Sequence, residues 1–187
     1  MGLCVAATLA GQGRPGLDRW GVLYGPAVLA GEWWRLLTNV FFHGGALHLV
    51  MNLSAVWTLG RFLERVLGTW RFALLTLVSA LGASAAVLAF DFDAPTLGIS
   101  GVILGWAGFA LPVADPEMRR QLRVWLVQVA VLSLLPGISW AGHLGGFLAG
   151  LPAGAALRLG RGRLDLALPA LVAVALAAIA GVLQIHR

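Results

Sequence analysis

The chain has 187 residues, of which 59% are hydrophobic and 11% charged, with a formal net charge of +5 and a mean hydropathy of +0.87. A soluble domain carries roughly 25% charged residues, so this composition excludes a water-soluble globular domain and implies an all-α, polytopic membrane protein. The positive charge then reads as a topology signal, not as a nucleic-acid surface, and the single cysteine, Cys4, excludes an internal disulfide and a cysteine-based metal site.

A helix needs ~20 apolar residues to cross a ~30 Å hydrocarbon core. Residues 2–10 are apolar but too short for that, and they lack the basic start of a signal peptide. They read as the tail of a truncated first helix. Residues 11–43 form a long connection with Gly, Pro, Trp and few charges. Trp20, Tyr24, Trp33 and Trp34 suit a membrane–water interface, which predicts a partly embedded loop. Residues 46–60, 72–90, 97–114 and 166–184 each predict one span. Residues 124–157 carry no charge, and as one helix they would be about 51 Å long, too long for a bilayer. Pro136-Gly137 divides them into two spans, the second opening near Ile138. Six spans therefore follow from Ala46 onward.

Arginine placement fixes an orientation. Arg61, Arg65 and Arg71, then Arg119, Arg120 and Arg123, then Arg158, Arg161 and Arg163 fall in alternate connections. The connections near 91–96 and 136–140 hold no arginine. By the positive-inside rule the 61–71, 115–123 and 158–165 loops are cytoplasmic, and the C-terminus and the 11–43 connection lie outside.

On that topology the polar residues converge. His48 and Asn52 fall at the start of one outside-in span, Ser100 about one turn into the next, and His143 one to two turns into the third. All lie in the outer half of the membrane, roughly 5–10 Å deep by helix rise. Polar side chains at such depth are costly and mark functional sites. Gly101 and Gly105 share one helix face, as do Gly142, Gly146 and Gly150. Small residues at this spacing let membrane helices pack closely, and two such faces pressed together would bring Ser100 within hydrogen-bond reach of His143.

A serine bonded to a histidine is a nucleophile with its general base. No Asp or Glu lies in the outer half of a span, so the pattern predicts a dyad rather than a triad. His48 and Asn52 sit one turn apart on one face and both can donate to an oxyanion. The amide of Ser100 is a third candidate donor.

Gly31-Glu-Trp-Trp34-Arg35-Leu-Leu-Thr38, His43, His48-Leu-Val-Met-Asn52, Gly60-Arg-Phe-Leu-Glu64, Gly98-Ile-Ser100-Gly101 and His143 with Gly146 and Gly150 occur in this order. In this the chain, from about residue 31 to 154, resembles the rhomboid family of intramembrane serine proteases. The resemblance implies a six-helix core over residues 1–160 and an additional C-terminal transmembrane helix over 165–187. It implies Ser100 and His143 as catalytic residues, and His48, Asn52 and the Ser100 amide as the oxyanion hole. Trp34 and Arg35 would brace the outer loop, and His43 and Glu64 would be structural, with Gly98, Gly101, Gly105 and Gly146 supporting the site. No cofactor and no metal are implied. The partners are transmembrane protein substrates and the lipid bilayer, with no nucleic acid. The expected location is multi-pass, in a bacterial cytoplasmic membrane. Where the family usually carries an aromatic residue four after the serine, stacked on the histidine, this chain has Leu104. The resemblance thus leaves open what orients the His143 ring.

Two other readings compete. A catalytically inactive rhomboid-like protein binding membrane clients would be marked by loss of the serine or histidine, and both are present. A transporter or proton path would call for intramembrane acids or repeated broken helices, which the sequence lacks.

Overall fold

Backbone polar groups inside hydrocarbon must be satisfied within their own segment, which leaves the helix as the element that these long apolar runs can form. The computed structural model describes residues 1–13, residue 16 and residues 20–187; residues 14, 15 and 17–19, part of the expected connection, lie outside the described residues. Helix α1 (Gly2–Gly13) precedes the short helices α2 (Gly25–Leu29) and α3 (Arg35–Thr38). A single 3-10 turn, Asn39–Phe41, continues α3. Six longer helices follow: α4 (Ala46–Leu67), α5 (Thr69–Phe90), α6 (Ser100–Val113), α7 (Pro116–Leu132), α8 (Trp140–Arg158) and α9 (Arg161–Ile185). The described residues form no strand, only an isolated antiparallel bridge between Leu23 and Thr96.

Each span expected from Ala46 onward is a helix of this membrane protein, with shifted bounds. The first of them runs on to Leu67, so Arg61 and Arg65 lie on its last turns and not in a loop. A turn at Gly68, with φ +81°, then reverses the chain into α5; such a φ favours glycine. Within α4, Val56–Gly60 winds as one π turn. The uncharged stretch 124–157 breaks around Pro136-Gly137 as expected, but α8 opens at Trp140, where the Ser139 side chain caps it by accepting from the Gly142 N–H.

Helix α6 is the central element. Every residue from Gly101 to Ala110 is buried, as expected of a helix hydrophobic all round. Its 14 residues span only about 21 Å, less than a hydrocarbon core. Its start lies beside Ala83 of α5, well before that helix ends at Phe90. Its most extensive partner is α8, and the contact is backbone on backbone. A Cβ at Gly146 would overlap the Gly101 carbonyl, one at Gly150 the Gly105 carbonyl, and one at Gly154 the Phe109 carbonyl. A Cβ at Gly101 would in turn lie 3.0 Å from the Gly142 oxygen. The two glycine faces meet, as their spacing predicts.

Helix α7 is held differently. None of its residues is fully buried. It is anchored at its start, where Asp115 accepts from the Met118 N–H and Arg119 bonds the Leu111 and Ala114 carbonyls at the end of α6. Helix α9 packs against α5 and α8 and buries Leu164, Leu168, Ala175, Ile179 and Leu183. A two-pronged ion pair, Arg71 to Asp165 at 2.6 and 2.8 Å, ties it to the start of α5.

Gly146→Ala is expected to destabilise the bundle by about 1–3 kcal/mol, the usual range for overpacking. Gly181→Ala, where an added Cβ meets nothing within 4 Å, is expected to be neutral. Thermal unfolding of the detergent-solubilised variants checks this; equal midpoints for both would contradict the close helix contact.

Candidate active site

The three polar segments reach one cavity because three helices begin beside it. Ser100 is the first residue of α6, not one turn into it as expected; its depth comes from the connection before it, which enters the bundle. Gly98, two residues earlier, has φ +119°, a conformation that side-chain-bearing residues rarely adopt. Its N–H donates to the Asn39 carbonyl at 3.0 Å. At the start of a helix the first amides have no helical acceptor, so the Ser100 N–H is free of the helix ladder. His48 lies in the first turn of α4 and His143 in the first turn of α8.

Ser100 Oγ lies 2.8 Å from His143 Nε2. On the other side of the same ring, His143 Nδ1 lies 2.6 Å from Ser133 Oγ. The His48 ring sits over Gly98, where a Cβ would come within 2.9 Å of its Cε1, and 3.9 Å from Ser100 Oγ. Asn52 is buried, and its amide nitrogen has no acceptor among the described residues. Such a group ordinarily finds a partner. His48, Asn52, Ser100 and His143 all line a cavity of about 920 Å³. Its remaining wall comes largely from α4 and α7, including Met51, Thr58, Trp125 and Val129.

The segment before α4 fixes the loop that carries Ser100. Leu23 and Thr96 exchange two backbone hydrogen bonds of 2.9 Å, and the Gly25 N–H donates to the Phe92 carbonyl. That segment is itself braced. Arg35 is buried; its guanidinium donates to the Val22 carbonyl at 2.6 Å and to Glu32 at 2.8 Å. Trp34 stacks on Trp20 with ring centroids 5.4 Å apart and donates to the Trp20 carbonyl. Asn39 bonds the Arg35 carbonyl through its side chain and Gly98 through its own carbonyl. A short chain of bonds thus runs from Arg35 to the residue two before Ser100.

The other expected site residues separate into two groups. His43 is buried beside the cavity, edge-on to His48 with centroids 5.1 Å apart, and shares a 3.3 Å hydrogen bond with Thr8. Gly101, Gly105 and Gly146 form the α6–α8 contact. Glu64 is not brought to the cavity. It lies at the far end of α4, about 18 Å from Asn52 along the helix, and accepts from the Thr69 hydroxyl at 3.1 Å. Sequence reading missed Asn39, Ser133 and Ser139. Ser139 carries a signal, a serine immediately before an apolar helical run; Asn39 and Ser133 carry none that their spacing reveals. Among the described residues, no group of three or more His, Cys, Asp or Glu could hold a metal ion.

The Rhomboid domain family model matches residues 30–159. The chain belongs to the rhomboid family. It is 36% identical over 140 residues to Rhomboid protease GluP of Bacillus subtilis, covering 71% of this chain and 27% of that protein. It is 33% identical over 162 residues to RHOMBOID-like protein 5 of Arabidopsis thaliana, covering 81% and 52%. It is also 34% identical over 135 residues to Rhomboid-type serine protease 2 of Emericella nidulans, covering 66% and 26%. This rhomboid thus spans between about a quarter and a half of the length of these relatives. The matched region begins in the braced segment before α4 and ends with α8.

In this rhomboid, Arg35→Met is expected to leave the buried Val22 carbonyl without its donor, a loss of roughly 1–3 kcal/mol. A lower thermal midpoint and faster limited proteolysis between residues 20 and 45 would report it. Wild-type values for both would contradict the bracing role.

Proposed function

We propose that this rhomboid is an intramembrane serine endopeptidase that cleaves transmembrane protein substrates within or near the outer half of the membrane. The observation that carries the reading is the 2.8 Å contact between Ser100 Oγ and His143 Nε2 inside a cavity walled by helices. A nucleophile and a base at that distance can act as a pair. Ser100 Oγ attacks the scissile carbonyl carbon while its proton passes to His143 Nε2. The developing oxyanion is held by donors from His48, Asn52 and the Ser100 amide. The carbon–nitrogen bond then breaks, and Nε2 returns the proton to the leaving amine. Water attacks the acyl-serine ester, giving its proton to Nε2, and the acid product leaves as Ser100 Oγ is reprotonated.

The substrate helix unwinds locally, because a helical amide is closed to attack, and approaches from the side. The loosely packed α7 supports lateral access, since it forms part of the cavity wall and buries none of its own residues. The partners are transmembrane proteins and the surrounding bilayer, and no cofactor is required. The proposed location is a bacterial cytoplasmic membrane, with the cavity toward the outer face. Residues 1–160 form the protease core in this reading, and α9 is an addition to it.

Cleavage of a fluorescent transmembrane peptide by the reconstituted protein tests the reading. Ser100→Ala and His143→Ala are expected to abolish turnover with unfolding midpoints close to wild type. His48→Ala and Asn52→Ala are expected to slow it by ~10–1000-fold, the cost of one oxyanion donor. Undiminished cleavage by Ser100→Ala would sink the protease reading; full activity in Asn52→Ala would remove that residue from the oxyanion hole.

A further inference from the structure

Ser133 stands between α7 and α8, ten residues before His143 in the sequence, and it is buried. Its hydroxyl oxygen makes two short contacts, 2.7 Å to the Val129 carbonyl and 2.6 Å to His143 Nδ1. Two oxygens 2.7 Å apart repel unless a proton lies between them, and a carbonyl has none to give. The one hydroxyl proton of Ser133 is therefore on the Val129 side. The contact to Nδ1 must then be made by an imidazole proton on Nδ1, with Ser133 Oγ as acceptor. In a neutral imidazole the other nitrogen, Nε2, is then bare, and it faces Ser100 Oγ at 2.8 Å. A directed chain results: Ser100 O–H to Nε2, Nδ1–H to Ser133 Oγ, Ser133 O–H to the Val129 carbonyl.

We propose that Ser133 is a positioning residue, whose hydroxyl fixes His143 as the Nδ1–H tautomer and holds the ring with its bare Nε2 toward Ser100. The proposal rests on the protease reading for its kinetic consequence, though not for the tautomer itself. It supplies what a triad carboxylate supplies elsewhere, an acceptor behind the base, without placing a charge inside the bundle, where an uncompensated one is costly. It also gives the ring a second point of attachment in a chain that has Leu104 four residues after the serine. When Nε2 takes the Ser100 proton, the Nδ1–H bond to Ser133 persists and the hydroxyl dipole faces the resulting imidazolium. No proton leaves the site through Ser133.

Ser133→Thr and Ser133→Val are nearly the same size and differ in the hydroxyl, so comparing them separates hydrogen bonding from packing. In the reconstituted full chain, Thr is expected to keep kcat within about threefold of wild type. Val is expected to lower kcat by roughly 10–100-fold, the loss of one orienting hydrogen bond, with KM unchanged. Nitrogen-15 spectra of histidine-labelled protein, with His143 assigned by difference from His143→Ala, read the tautomer directly. Wild type and Thr are expected to show Nδ1–H, and Val a shift of population toward Nε2–H. Equal kcat values for Thr and Val, or an Nε2–H tautomer in the wild type, would overturn the proposal. Should the wild type cleave nothing, the protease reading fails, and the wild-type spectrum alone still decides the tautomer.

Discussion

The approach of two helix backbones sets the distance on which the site depends. Ser100 and His143 stand on separate helices, 43 residues apart in sequence. They meet because α6 and α8 touch through carbonyls lying where side chains would otherwise be. In hydrocarbon no hydrophobic force draws helices together, so contact at this range rests on dispersion and close fit. Each glycine in the seam therefore helps to set the distance between Ser100 and His143, although none bears a functional group.

The second constraint is the need to satisfy backbone polar groups wherever the chain is not helical. Residues 91–99 enter the bundle as a loop, and their bonding goes to the segment before α4: Thr96 to Leu23, the Phe92 carbonyl to Gly25, the Gly98 amide to Asn39. Irregular backbone at membrane depth is tolerated where protein or a cavity receives it, and here both do. This explains why a segment more than sixty residues upstream carries so many of the fixed contacts around Ser100. Arg35 buries a guanidinium to hold that segment, and the charge is offset locally by Glu32.

Much of this was legible in the sequence. Hydropathy marked each helix from Ala46 onward, Pro136-Gly137 marked the break between α7 and α8, and glycine spacing identified the two faces that meet. The positions of His48, Asn52, Ser100 and His143 within their spans put them at one level without any family resemblance, and all four line one cavity. Less legible were features set by tertiary geometry. Hydropathy stops a span at the first arginine, so by that measure the last turns of α4 look like loop. Hydropathy puts Ser100 one turn too far into its helix, because it does not tell whether the run before the serine is helix or loop. Ser133 was invisible, since a serine near a helix end usually bonds its own backbone. This one does bond Val129, and only the folded chain shows the same oxygen behind His143. The ion pair between Arg71 and Asp165 spans 94 residues, and spacing says nothing at that range.

The proposed chemistry requires Ser100 to be an activated hydroxyl rather than a passive polar residue at the start of a buried helix. Reaction of the folded protein with a fluorophosphonate, followed by mass spectrometry of the labelled peptide, addresses this without a known substrate. An activated Ser100 gives a single adduct that disappears when His143 is replaced by alanine. Absence of label from a protein shown to be folded, or label that persists at Ser100 without His143, would contradict the proposed chemistry.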